Sequence, residues 1–405
     1  MESILKKENK KPLLVNDILL ALFTVALLLL TLCTFFQSRY SVLIHLTLFA
    51  LCFLVMGKIN KRVIGLLLAS VIPVIILVLL SINHTTTTPI AQLGFFLHYI
   101  TWPVLLITIN ERFTKEQKLF ILRIITAIAI VGNLASLKIL VEDNDASRLL
   151  AGSATESEKA FYYAKGVGGY GYTYAMVFFT YGAIAWLKNT KNIFDKIFLS
   201  AFLITNYLFI LYSSYTAAII FVLLITVAAC TSKMRFKNAN LILVAVAILI
   251  LILGNLLLEF GISFARNLEL DWVVKRLSQL NEAQQSGDFA GLNRAQLYMQ
   301  SLNSFFANPI IGGGKVGGHS HLLDWLGMFG FCALPAFAAM FFWCRESFKI
   351  VKNKNLIIFF ILFIVFAAID TCSSMQIPVI VLFAVPLSAS VFVKTQDEPE
   401  LSEKK

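Results

Sequence analysis

The run Phe194–Cys230, FDKIFLSAFLITNYLFILYSSYTAAIIFVLLITVAAC, is 37 residues long and largely apolar. As one helix it would extend about 55 Å, nearly twice the ~30 Å hydrocarbon core of a bilayer. Tyr212-Ser213-Ser214-Tyr215 interrupts it near the centre, so it reads as two antiparallel spans joined by a tight turn. That division fixes the side of the membrane for everything that follows it.

The same length criterion, applied along the chain, gives twelve spans: 13–36, 41–56, 63–82, 90–109, 119–140, 167–187, 194–211, 215–231, 240–260, 320–343, 355–370 and 375–393. With 405 residues, 58% hydrophobic, 14% charged and mean hydropathy +0.80, the chain carries more apolar surface than a soluble domain could hide. The fold class is therefore an all-α polytopic membrane protein, one membrane domain over 1–405. Lys6, Lys7, Lys10 and Lys11 precede the first run, Leu13 to Phe36, which is long enough to span and lacks a small-residue cleavage site. It reads as a transmembrane helix and not as a cleaved signal peptide.

Charge provides an independent test. With the N-terminus in the cytoplasm, 23 Lys and Arg fall in cytoplasmic segments and nine in external loops, five of those nine between 261 and 319; Arg123 and Lys138 lie within spans. The asymmetry places both termini in the cytoplasm, and it accounts for the net charge of +11 without a nucleic-acid partner. The six cysteines (Cys33, Cys52, Cys230, Cys332, Cys344, Cys372) sit in or beside apolar runs with no CxxC pair, as packing residues do. Two external loops, 141–166 and 261–319, are long enough to carry structure and function. The polar tail 395–405 reads as disordered and cytoplasmic.

The second long loop re-enters the membrane through Asn308 to Gly330, NPIIGGGKVGGHSHLLDWLGMFG. Its glycines, Gly312, Gly313, Gly314, Gly317 and Gly318, permit positive φ and close approach to a ligand. Ser320 is a candidate N-cap, which would leave the amides of the first helical turn as a seat for an anion such as diphosphate. His319 stands just outside that cap. Lys315-Val316 in place of Lys-Ser or Lys-Thr, with no preceding strand, excludes a nucleotide P-loop. Upstream, Ala295, Tyr298, Met299, Leu302, Phe305 and Phe306 recur at helical spacing, predicting an amphipathic helix over 292–306 that ends at Asn308-Pro309.

Arg276, Arg294, Asn308-Pro309, Gly312, Gly314, His319-Ser320 and Gly330, in that order, resemble the recurring pattern of the O-antigen ligase/polymerase superfamily. About 65 residues carry this resemblance. His-Ser followed by Asp324 is more similar to the Wzy-type repeat-unit polymerases of O-antigen, capsule and exopolysaccharide than to the ligases. One departure is Ser213-Ser214-Tyr215-Thr216, where many members place an arginine. The resemblance implies a GT-C-like helical glycosyltransferase of the bacterial cytoplasmic membrane, with its active site on the external or periplasmic face. Its donor and acceptor would be undecaprenyl-diphosphate-linked oligosaccharides, and its partners in the pathway a flippase and a chain-length regulator.

Glycan transfer from a polyprenyl diphosphate places negative charge on the departing diphosphate, which cations or oriented donors must meet. Arg276, Arg294, Gly314 and Lys315 are the candidates for that role, in a reaction expected to need no metal and no cofactor. His319 is the candidate base for the acceptor hydroxyl. Asp324 either orients a histidine, binds a sugar hydroxyl, or is simply a first-turn acid on the helix dipole. His321, Tyr170, Tyr215 and Asp370 are candidates for sugar or acceptor contacts, against a reading as interfacial side chains. Glu142, Asp143 and Asp145 offer an Asp-x-Asp metal arrangement, or else a solvated acidic loop. Two other functions remain open: a ligase using the same donor on lipid A core or another acceptor, and a flippase or transporter for the lipid-linked oligosaccharide. Against a transporter, the long loop separates spans nine and ten instead of two matched halves.

Overall fold

A computed structural model describes residues 15–39, 42–83, 87–143, 145–151, 155–231, 254–267, 294–351 and 356–392, with isolated positions between 274 and 281. Secondary structure among them is helical throughout: α1 (Val15–Leu32), α2 (Val42–Met56), α3 (Lys61–Leu80), α4 (Pro89–Arg112), α5 (Lys115–Leu140), α6 (Glu156–Ala164), α7 (Tyr170–Asn189), α8 (Ile193–Tyr212), α9 (Thr216–Cys230), α10 (Gly254–Asn267), α11 (Arg294–Ala307), α12 (His321–Phe329), α13 (Leu334–Val351), α14 (Leu356–Ile369) and α15 (Gln376–Phe392). The 37-residue run divides as expected. Ser214, between α8 and α9, has φ +61° and is the one non-glycine with positive φ among the described residues.

Among the described residues six segments are long and apolar enough to cross a membrane: α1, α3, α4, α5, α8 and the consecutive α12–α13; α2, α9, α14 and α15 are apolar and shorter. Most of the ninth expected span, and the 395–405 tail, lie outside the described residues. The surface fits a lipid setting. Along α3, Leu68, Ile72, Ile75 and Leu79 are all more than half exposed, a continuous apolar stripe that a soluble protein would cover. The middle of the bundle is filled by α4, buried from Phe95 to Ile109, and α7, buried from Tyr172 to Trp186. Helices buried all round need partners for their polar side chains. Asn206 donates to the Met176 carbonyl (3.2 Å) and to Thr180 (3.0 Å), and Tyr172 donates to the Ala129 carbonyl (3.0 Å).

The two ends of the bundle differ. At one end lie the ion pairs Arg123–Asp195 (2.9 Å), Arg62–Glu346 (3.1 Å) and Lys349–Glu346 (2.5 Å), and Lys188 reaches the Cys230 carbonyl there. The opposite end carries the start of α7, the α8–α9 turn, the end of α14 and the loop before α12.

The tenth expected span is not one continuous helix. It breaks at Gly330, whose φ is +57° and whose missing side chain leaves room for the backbone of Pro309 and Ile310. The loop then supplies partners for the amides the break releases: Phe331 N donates to Pro309 O (2.7 Å) and Cys332 N to Ile310 O (3.2 Å). Sequence periodicity could not show this, because the apolar pattern continues through the break.

The end of α14 is where the elements converge. A helix leaves its last carbonyls without intrahelical partners, and where they pack against other elements those elements must supply the donors. Five consecutive carbonyls here are each taken by another element. Ala368 O accepts from Ser320 Oγ (2.6 Å), Ile369 O from Tyr298 OH (2.5 Å), Asp370 O from His321 N (3.2 Å), Thr371 O from Tyr170 OH (3.0 Å) and Cys372 O from Tyr99 OH (2.6 Å). One turn thereby ties α4, α7, α11 and α12 together. Tyr99→Phe leaves a buried carbonyl without its donor, and the expected loss is about 1–3 kcal/mol; thermal unfolding of the purified protein in detergent, compared with an exposed control such as Phe161→Leu, measures it.

Candidate functional site

The predicted amphipathic helix is present as α11, one or two residues from its expected bounds. The glycine run packs against it. Beta carbons at Gly313 and Gly317 would meet the backbone of Ser304 and Leu297, and one at Gly312 would meet Met328 and Phe329 in α12. Two serines of α11 fasten the loop. Ser301 Oγ accepts from Gly317 N (3.0 Å), while Ser304 Oγ accepts from Lys315 N (3.1 Å) and donates to Gly327 O (3.0 Å). These glycines serve close packing of loop on helix. Gly318 differs: it has φ +77°, and a beta carbon there would meet nothing within 4 Å.

Ser320 caps α12 as expected, its Oγ accepting from Leu323 N (3.2 Å). The anion at this helix end belongs to the chain itself. Asp324, buried, accepts from Gly318 N (3.2 Å), Ser320 N (3.1 Å) and Ser301 Oγ (2.6 Å). A carboxylate with three donors at a helix N-terminus is well stabilised, and the first-turn amides that the sequence offered to diphosphate are engaged within the chain, His321 N by the Asp370 carbonyl and Leu323 N by Ser320 Oγ. Asp324 thus holds the loop that presents His319 and does not line the cavity described below. His321 turns inward as well. Its ring stacks on Phe95 (5.1 Å between centroids) and lies 4.5 Å from that of Trp325, with Nε2 buried and without a hydrogen-bond partner among the described residues.

A cavity of about 570 Å³ opens at this end of the bundle. Gly318 and His319 form one side. Asp370, Thr371, Ser373 and Ser374 come from the turn between α14 and α15, and Gln376 from the first position of α15; Tyr163, Tyr170, Tyr215, Arg148 and Gln37 are among the other lining residues. Asp370 is buried and accepts from Tyr174 OH (3.2 Å) and from Thr371 N (2.9 Å). The aromatic wall is contiguous: Tyr170 lies 4.7 Å from Tyr174 and 5.7 Å from Tyr215, centroid to centroid. The lining is that of a polar site with flat apolar faces, suited to sugar rings and their hydroxyls.

No protein-family model, characterised protein or solved structure matches this chain. The geometry sorts the candidate residues. His319, Tyr170, Tyr215 and Asp370, drawn from four separate parts of the sequence, meet in one cavity. Gly314 and Lys315 do not line it. Lys315 faces a separate groove along α11 with Gln296, Gln300 and Asn303. Arg276 lies outside the described residues, and Arg294 is the first residue of α11. In the acidic loop, Asp143 accepts from Tyr162 OH (2.5 Å), and that bond pushes the Tyr162 phenol up to about 12. No cluster of three or more His, Cys, Asp or Glu able to hold a metal occurs among the described residues.

Sequence reasoning missed Arg148, Gln37 and Gln376 as lining residues. Arg148 had a signal, being one of the few cations that the span assignment placed in external loops. Gln37 and Gln376 had none, since isolated amides at span ends are ordinary. Replacing Asp324 by Ala removes the acceptor of three donors at once. The expected cost is about 3 kcal/mol or more, by comparison with hydrogen bonds to charged groups, and a drop in thermal unfolding temperature together with new proteolysis between 312 and 320 reports it.

Proposed function

We propose that the chain is a polysaccharide polymerase, a glycosyltransferase that extends undecaprenyl-diphosphate-linked repeat units on the external face of the bacterial cytoplasmic membrane. One observation carries this reading: His319, the residue that the motif marks as base, opens into a cavity with sugar-compatible aromatics, hydroxyls and a carboxylate. The ion-paired end of the bundle, rich in Lys and Arg, suits the cytoplasmic side, and the cavity lies at the other end. The twelve-span, GT-C-like arrangement belongs to the same proposal, as does pairing with a flippase and a chain-length regulator.

In this mechanism the non-reducing hydroxyl of the acceptor repeat unit attacks the anomeric carbon of the donor glycan. The new C–O bond forms as the bond to the diphosphate oxygen breaks, and its electron pair leaves on the undecaprenyl diphosphate. His319 takes the hydroxyl proton. Asp370, with its carboxylate fixed by Tyr174 and the Thr371 amide, orients a sugar hydroxyl. The closed lattice of hydrogen bonds beneath the site holds these groups in register before substrate arrives.

Purified protein given only the lipid-linked repeat unit is expected to lengthen it, with or without chelator. A ligase would leave that substrate unchanged until a different acceptor is added. His319→Ala is expected to lower the extension rate about 10²–10⁴-fold, as loss of a general base does, while repeat units still reach the outer leaflet in cells. Accumulation on the inner leaflet instead would identify a flippase and sink the polymerase reading.

A further inference from the structure

We propose that Arg148 is the guanidinium that holds the diphosphate of the lipid-linked donor inside the cavity. The inference rests on the polymerase reading for the identity of the lipid, but its test does not depend on polymer formation.

Of the anion donors that the sequence offered, three lie away from the cavity among the described residues, while Arg276 falls outside them. The amides of Gly318 and Ser320 just before α12 are taken by Asp324, and those of His321 and Leu323 in its first turn by the Asp370 carbonyl and Ser320 Oγ. Lys315 opens into the groove along α11, and Gly314 does not line the cavity. Among the described lining residues, Arg148 is the one lysine or arginine. The cavity also contains the Asp370 carboxylate. An anionic ligand entering beside that carboxylate needs a fixed cation, because hydroxyls and phenols alone would leave a diphosphate poorly compensated.

Arg148 is built into position. It sits in the helical turn Ala146–Leu149, and its amide donates to the Asp145 carbonyl (2.9 Å). The neighbouring Ser147, buried, fastens this turn on two sides: its Oγ donates to the Gly168 carbonyl (2.7 Å) just before α7, and its own carbonyl accepts from Tyr215 OH (2.7 Å) at the start of α9. Two of the cavity's walls therefore hold the backbone that carries Arg148. A long side chain on an anchored backbone loses less freedom on binding than one on an untethered loop. Guanidinium donors in a fork match a pair of phosphate oxygens, and the same contact stabilises the diphosphate as it departs with the bonding electrons.

The experiment is binding by the full-length protein in detergent, with farnesyl diphosphate as probe and farnesyl monophosphate and phosphatidylglycerol as comparison ligands. Arg148→Ala is expected to weaken farnesyl diphosphate about tenfold or more, the scale of a lost charge-assisted pair. Arg148→Lys should lie between, since an ammonium keeps the charge and loses the fork. The monophosphate should lose less than the diphosphate. If Arg148→Ala proves unstable, Arg148→Gln and Arg148→Lys carry the comparison. Unchanged diphosphate affinity in these variants overturns the proposal, and so does an equal loss for phosphatidylglycerol, which would make this a general headgroup contact. Arg148-dependent diphosphate binding without chain extension would keep the site and reject the polymerase; extension unaffected by Arg148→Ala would do the reverse.

Discussion

Everything at the cavity end of this protein depends on one constraint, that backbone carbonyls released at the end of a helix deep in a bundle must find donors. The end of α14 meets it with five consecutive acceptors, each served by a different donor group: a serine, an amide and three tyrosines. Tyr99 keeps its ring in the packed interior while its hydroxyl reaches the turn, and Tyr170 and Tyr298 reach it from half-buried positions. Satisfying the turn is thus the same act as joining α4, α7, α11 and α12. The cavity floor, residues 370–376, is the upper side of that junction.

The glycine loop is governed by a related rule. A loop re-entering the membrane exposes its own amides, and this one places them on serine hydroxyls of α11 and on the carboxylate of Asp324. Glycines at 312, 313 and 317 make that possible because any side chain there would strike helix backbone. His319 is carried by this fixed loop and reaches the cavity from a rigid base. The helix dipole that the sequence offered to a ligand is already complemented from within.

Much of the architecture was legible because it follows from length and hydropathy. The break at Tyr212–Tyr215, the Ser320 cap and the α11 helix each rest on local chemistry that operates wherever those residues occur. The partners of Asp324 were not legible, since they come from α11 and from the loop four and six residues upstream, and three readings of a first-turn acid look alike in sequence. The break at Gly330 was hidden for the same reason: its freed amides are met by Pro309 and Ile310, and only the folded chain brings these together. Of the candidate site, residues at span ends were visible by polarity, as with Asp370 and Tyr170. Arg148 was visible only as a charge, because its place in the cavity depends on Ser147 bonding to two distant helices.

The turn after α14 has a further consequence, and it is mechanical. With its carbonyls engaged on several sides, the base of the chamber cannot yield to a bulkier guest without uncoupling the helices around it. Adaptation to a different guest then falls to side chains at the rim, in the segments 148–151 and 163–172, which set the bore. Selectivity and stability are in this way assigned to different stretches of chain, and one can drift while the other stays put.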